Sequence, residues 1–133
     1  MNKFGGRVYA AMYRVSGGRL GGRAGPADVV LLTTTGRKSG RPRTVPVAAM
    51  PDGDRRILVA SNAGQDHQPA WFLNLVANPA VSIRHGNDTR TAKARVADDA
   101  ERAELWPKVN AWWDRYDKYQ SKTSRDIPLV IVE

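Results

Sequence analysis

A chain of 133 residues with no cysteine and two histidines suits one domain that buries roughly two-thirds of its unfolded surface. It has no means of building a disulfide, a thiolate metal site or a cysteine nucleophile. His67 and His85 are far apart and no His-x-x-x-His or Glu-x-x-His pair accompanies them, so metal catalysis is not expected.

The net charge of +8 is unevenly placed. Residues 1–43 carry nine Lys/Arg against Asp28 alone, and the rest of the chain balances twelve against twelve. Such asymmetry points to an anionic partner, whether cofactor, nucleic acid or membrane surface; the other reading is a solvated basic face.

Phe4, Val8, Met12 and Val15 recur at helical spacing with Arg7 and Arg14 on another side, which predicts a basic amphipathic helix over residues 2–16. Ser16-Gly17-Gly18-Arg19-Leu20-Gly21-Gly22 ends it as a Gly-rich connector. Residues 1–27 are therefore read as an arm and 28–133 as the domain. No stretch approaches the roughly 20 apolar residues of a spanning helix and no secretory signal opens the chain, so a cytoplasmic protein is expected. The arm suits weak, reversible contact with the inner face of an anionic membrane, or capture of a substrate, or packing onto the domain.

From Asp28 the pattern changes to strands, over Val29–Thr35, then Arg43–Met50, then, after the turn Pro51-Asp52-Gly53-Asp54, Ile57–Asn62. Pro46 predicts an edge position or a bulge in the second strand. Pro69 is suited to the first turn of a helix through Trp71, Leu73, Leu75 and Val76, ended by Asn78-Pro79. Alternation around Gly86-Asn87-Asp88 predicts a hairpin from about Val81 to Val96. Asp98 and Glu101 match a capping box, opening a helix that Pro107 should kink or divide before it continues to about Tyr116. Pro128 to Val132 closes the domain as a buried strand. This order is α+β, an antiparallel barrel of about six strands with helices packed around it, and not a doubly wound sheet.

The densest chemistry is the turn Thr33-Thr34-Thr35-Gly36-Arg37-Lys38-Ser39-Gly40-Arg41-Pro42-Arg43. It combines cations, a hydroxyl and backbone N–H groups between two glycines, the chemistry that holds phosphates and carboxylates. It is not a P-loop, because Arg37 and not Gly precedes Lys38. Gly-x-Ser-x-Gly and Gly-x-Gly-x-x-Gly are also absent. An enzyme of this kind would borrow its chemistry from a bound cofactor. Trp112, Trp113, Tyr116 and Tyr119 form an aromatic helix stripe, which reads either as core or as the wall of a substrate pocket, where phenols can donate protons.

The turn, with Arg43 and Pro46 beyond it, then Leu58-Val59-Ala60-Ser61-Asn62, Pro69-Ala70-Trp71-Phe72-Leu73-Asn74-Leu75, Asn78-Pro79 and Asp126-Ile127-Pro128, resembles the deazaflavin-dependent nitroreductase family. These are actinobacterial split-barrel reductases that use reduced coenzyme F420. The resemblance runs in order through residues 28–133, with a weaker match over Tyr13–Arg19. It implies that Gly36, Arg37, Lys38, Ser39 and Arg43 hold the phosphodiester and oligoglutamate tail. It further implies that the ring lies along Val59, Ala60, Ser61 and Asn62 near Pro46, with Trp71 and Asn74 shaping that pocket. Hydride would pass to a small-molecule acceptor, a quinone, an activated enone or a nitroaromatic. Tyr116, with Ser61 across the site, is the candidate to orient or protonate it, and Trp113, Tyr116 and Tyr119 would form the substrate wall. Where the family often has a first phenol, this chain has Trp113, and its N-terminal arm is short. No metal is implied and no nucleic acid is expected. Three rivals remain open at this level: an FMN-dependent split-barrel oxidoreductase, a nucleic-acid-binding module using the basic third, and a cofactor carrier without turnover.

Overall fold

The computed structural model describes residues 23–24 and 27–133, with side chains from Asp28 onward. The helix expected over residues 2–16 and its connector lie outside the described residues. Seven strands, β1 (Arg23–Ala24), β2 (Ala27–Thr35), β3 (Pro42–Asp52), β4 (Arg55–Val59), β5 (Ala80–His85), β6 (Asp88–Val96) and β7 (Leu129–Val132), run in the order β1-β2-β3-β4-β7-β6-β5. A further pairing of β2 with β5 closes the last six into an antiparallel barrel. Among the described residues three α-helices accompany it, α1 (Ala70–Ala77), α2 (Asp99–Trp112) and α3 (Tyr116–Ser121).

Local chemistry sets these boundaries. Both tight hairpins place glycine first in a two-residue turn, Gly53 at φ 63° between Asp52 and Arg55 and Gly86 at φ 61° between His85 and Asp88. Only glycine reaches that conformation without steric cost, and the resulting turn matches the strand twist. Pro46 pairs with Leu31 of β2, whereas the pairing of β3 with β4 begins only at Ala49. The missing N–H therefore meets an unpaired edge, as the edge expectation required.

The side-chain alternation of β4 and β7 feeds two cores. Leu58, Val130 and Val132 join Val30, Leu32, Ala49, Val81, Ile83 and Ala94 with Phe72 and Leu75 of α1. Ile57, Val59, Leu129 and Ile131 turn the other way, onto Leu105 and Val109 of α2 and Tyr116 of α3. Strands covered on both faces lose their polar alternation, which explains the unbroken apolar runs at Ile57–Ala60 and Leu129–Val132.

Asp98 caps α2 as expected, accepting from the Glu101 amide at 2.8 Å while Glu101 Oε1 accepts from the Asp98 amide at 3.1 Å. The expectation for Pro107 is corrected: α2 runs through it to Trp112 and the break falls at Trp113, whose backbone is extended. Leu105 and Val109, on either side of the proline, are both buried, so tertiary packing outweighs the one missing intrahelical bond. The strand expected to reach Asn62 ends instead at Val59, and the chain turns through a short 3-10 segment, Asn62–Gly64.

Candidate functional site

The turn between β2 and β3 is built from its own hydrogen bonds. Gly36 N–H donates to the Arg41 carbonyl and Gly40 N–H to the Gly36 carbonyl, both at 2.8 Å. The Arg41 amide donates to Ser39 Oγ at 3.2 Å, leaving the Ser39 hydroxyl proton free to point outward. A side chain at Gly36 would strike Ser39 Oγ at 2.7 Å, and Gly40 sits at φ 70°, so each glycine is required for a different reason.

Asn74 of α1 pins this turn from below. Its Oδ1 accepts from the Arg37 amide at 3.1 Å and from Arg37 Nη1 at 3.4 Å, and its Nδ2 donates to Thr34 Oγ1 at 3.2 Å. Asn74 is 5 % and Thr34 2 % exposed, so a polar contact shielded from water fixes the height of the turn. Among the described residues the amides of Lys38 and Ser39 are left without partners. Arg37, Lys38, Arg41 and Arg43 are all exposed, and none forms an ion pair among the described residues.

The turn forms one end of a groove of about 850 Å³, within the roughly 300–1,000 Å³ usual for small-molecule sites. Gly36, Arg37, Lys38, Ser39, Arg43 and Thr44 give it a cationic and polar end. Val45, Pro46, Pro69, Ala70, Trp71 and Leu73 give it an apolar wall, and Asn62, His67 and Gln68 complete its rim.

Of the residues expected to hold a cofactor, the groove brings together Gly36, Arg37, Lys38, Ser39, Arg43, Pro46, Asn62, Trp71 and Asn74. Val59, Ala60 and Ser61 do not line it. Val59 and Ala60 are buried in the cores on opposite faces of the sheet, and Ser61 is half-buried at the start of the loop leading to the rim.

Tyr116 is likewise not a lining residue of this groove. Its ring is 3 % exposed and held edge-on between Trp113 (centroids 5.8 Å apart) and Tyr119 (6.4 Å). Burial, reinforced by Tyr119, pushes its phenol above the ordinary value although Arg115 acts the other way. The helix that carries it nevertheless touches the groove's rim loop. A Cβ on Gly64 would lie 2.8 Å from the Tyr119 carbonyl and 3.1 Å from Lys122, a contact that only glycine allows.

Sequence reasoning missed Arg125, which fastens that loop. Its guanidinium donates to the carbonyls of Gln65 at 2.9 Å and Ser61 at 2.9 Å, to the Ala60 carbonyl at 3.3 Å and to Gln68 Oε1 at 2.8 Å. Thr123 Oγ1 adds a bond to Asp66 at 2.8 Å. The loop needs such fastening because Asn62 and Ala63 occupy the left-handed region at φ 46° and 55°, a cost of order 1 kcal/mol or more each for non-glycine residues. Burial lowers the Arg125 pKa from its ordinary value, yet a guanidinium remains charged throughout the working range.

A closed antiparallel barrel with a groove that is cationic at one end and apolar along its wall defines a barrel-type cofactor-binding protein. The chain matches the family model described as F420H(2)-dependent quinone reductase over residues 5–133 and belongs to that family. It is 42 % identical over 130 residues to the F420H(2)-dependent quinone reductase Rv1261c of Mycobacterium tuberculosis, covering 95 % of this chain and 87 % of the relative. Among solved structures it is similar to an F420-H2 dependent reductase, FDR-A, at 39 % identity and a TM-score of 0.73, over 79 % of this chain and 93 % of the other. A protein solved as a domain-swapped dimer aligns at 34 % identity with a TM-score of 0.75, over 96 % and 97 % of the two chains. The protein is therefore an oxidoreductase of the split-barrel class, and its cofactor is coenzyme F420. Among the described residues no helix is long and apolar enough to cross a membrane.

Proposed function

We propose that the protein transfers a hydride from reduced coenzyme F420 to an electrophilic two-electron acceptor, a quinone, an activated enone or a nitroaromatic. The observation that carries this reading is the groove's lining by exposed cations on the one hand and apolar side chains on the other. A cofactor with a phosphodiester, a chain of carboxylates and a planar ring asks for that division. Arg37, Lys38 and Arg43, with the Lys38 and Ser39 amides and the Ser39 hydroxyl, offer more positive charge than one phosphate requires, which favours the tailed deazaflavin over FMN.

When bound, the reduced cofactor supplies the hydride. The chain's part is placement and electrostatics. Pro46, Trp71 and Leu73 would supply the apolar surface that holds a ring and excludes water from it, and Asn74 fixes the turn that would anchor the tail. A quinone that accepts a hydride must also gain a proton to become the hydroquinone. Tyr116 carries the hydroxyl proposed to orient that acceptor; burial raises its pKa and makes it a weaker acid, which favours an orienting hydrogen bond over release of the proton. Trp113 and Tyr119 brace the Tyr116 ring, and neither lines the groove.

Titration of the purified protein with reduced F420 and with FMN, followed by a screen of menaquinone analogues, enones and nitroaromatics while cofactor oxidation is monitored, tests the reading. Saturable F420 binding with acceptor-dependent oxidation is expected. Preferential binding of FMN, or F420 binding with no acceptor-dependent oxidation, would defeat it.

A further inference from the structure

Gln68 lines the groove beside Pro69 and Trp71, whereas Arg125, which holds it, does not. That division fixes the direction of an amide. A guanidinium has donors and no acceptor, so only the carbonyl oxygen of Gln68 can face Nη1 of Arg125 at 2.8 Å. The usual ambiguity between the oxygen and nitrogen of a side-chain amide is thereby removed by chemistry and not by fitting. The amide nitrogen is turned away from Arg125. Among the described residues it donates to no group, and since no buried side-chain nitrogen or oxygen lacks a partner, it is open to the groove or solvent.

We propose that Gln68 is a specificity-determining residue whose amide N–H donates to a ring carbonyl of the deazaflavin, and that Arg125 is the positioning residue that sets its polarity. The proposal rests on the cofactor reading above. Several features make the donor a built one. Arg125 also holds the carbonyls of Ala60, Ser61 and Gln65, so amide and loop are oriented by one group. Asn62 Nδ2 donates to the His67 carbonyl at 3.1 Å, which fixes the residue before Gln68. The next residues, Pro69 to Trp71, belong to the apolar wall. A planar heterocycle on that wall presents carbonyl oxygens at its rim, the acceptors a fixed N–H reads. A preorganised donor gives discrimination because a ring without the matching acceptor leaves it unpaired.

The test uses two ligands, coenzyme F420 and the same deazaflavin without phosphodiester and glutamates, titrated by fluorescence, with melting temperature as a second readout. Gln68→Met removes the donor without adding charge. Gln68→Glu removes it while retaining an acceptor for Arg125, so the loop stays fastened. Both variants should weaken the tail-less deazaflavin by about 3- to 10-fold, the loss of one neutral hydrogen bond, with the melting temperature of Gln68→Glu held. Arg125→Ala should also weaken it, and by less when combined with Gln68→Met, because the two act through one amide. Affinities of both Gln68 variants within twofold of wild type would overturn the assignment, as would a loss seen only with the tailed cofactor, which would move the donor to the phosphodiester. Wild-type protein that binds neither ligand would instead overturn the cofactor reading, and this inference with it.

Discussion

Replacing Asn74 with leucine removes a hydrogen-bonding hub while keeping side-chain volume close to constant. The wild-type side chain serves the Arg37 amide, Arg37 Nη1 and Thr34 Oγ1. In the variant the Thr34 hydroxyl, 2 % exposed, is left unpaired at a cost of about 1–3 kcal/mol, whereas the exposed Arg37 amide can turn to water and loses about 0.5–1 kcal/mol. The sum is roughly 1.5–4 kcal/mol, and at about 3–5 °C per kcal/mol for a chain of this size the melting temperature should fall by roughly 5–20 °C. Cofactor affinity should fall by about tenfold or more, because the turn loses the support that aims its two free amides. Asn74→Asp separates the effects. A carboxylate can still accept from Arg37, and the Thr34 hydroxyl can rotate to donate to it, so the fold should hold while an anion beneath the turn weakens binding of an anionic tail. Differential scanning fluorimetry and fluorescence titration read both quantities. An Asn74→Leu protein with unchanged melting temperature and unchanged dissociation constant would refute the view that this residue supports the turn.

Lys38→Ala or Arg43→Ala removes one charge-assisted contact of about 1.5–3 kcal/mol and should raise the F420 dissociation constant by roughly 10- to 150-fold, with little change in hydride transfer at saturation; values within twofold of wild type in both variants would dismiss the turn as the tail's anchor. Tyr116→Phe keeps the ring and its contacts, so single-turnover oxidation with a quinone should slow by ~10-fold or more at unchanged cofactor affinity, and an equal rate would assign proton delivery to solvent. Glu101 is held at about 2, against an ordinary 4.5, first by its hydrogen bond from Arg95 and then by the Asp98 amide. A carboxylate depressed in the folded state contributes stability that is present above about 4.5 and lost as pH falls toward 2. Acid titration of the melting temperature should therefore be steeper in this window for wild type than for Glu101→Gln, and superimposable curves would deny Glu101 that contribution.

The parts of this protein written in contiguous residues were legible before any coordinates. Gly36 to Arg43 announces an anion-binding turn because the groups that bind and the glycines that shape the turn are neighbours in the chain. The hairpins at Gly53 and Gly86, the Asp98 capping box and the Pro69 helix start are local in the same sense. Asn74 entered through family resemblance, since nothing in Leu73-Asn74-Leu75 says that its amide will meet Thr34 and Arg37 some forty residues away. Pro107 misled because its local cost was set against no knowledge of the packing at Leu105 and Val109.

Arg125 shows the limit most clearly. It lies among Ser124, Asp126 and other polar residues with no spacing to mark it, and its partners are carbonyls at 60, 61 and 65, groups that every sequence possesses. A residue that acts on side chains leaves a trace in the types it needs; one that acts on backbone leaves none. The same reasoning explains why nothing in the sequence marks Gln68. Its importance lies in which end of its amide faces the groove, and that is decided by an arginine 57 positions along the chain. Strain at Asn62 and Ala63 is a further sign that the loop is held and not merely connected. It predicts that loosening the clamp will let this wall relax toward ordinary backbone angles, carrying Gln68 out of register with any ring lying on Pro46 and Trp71.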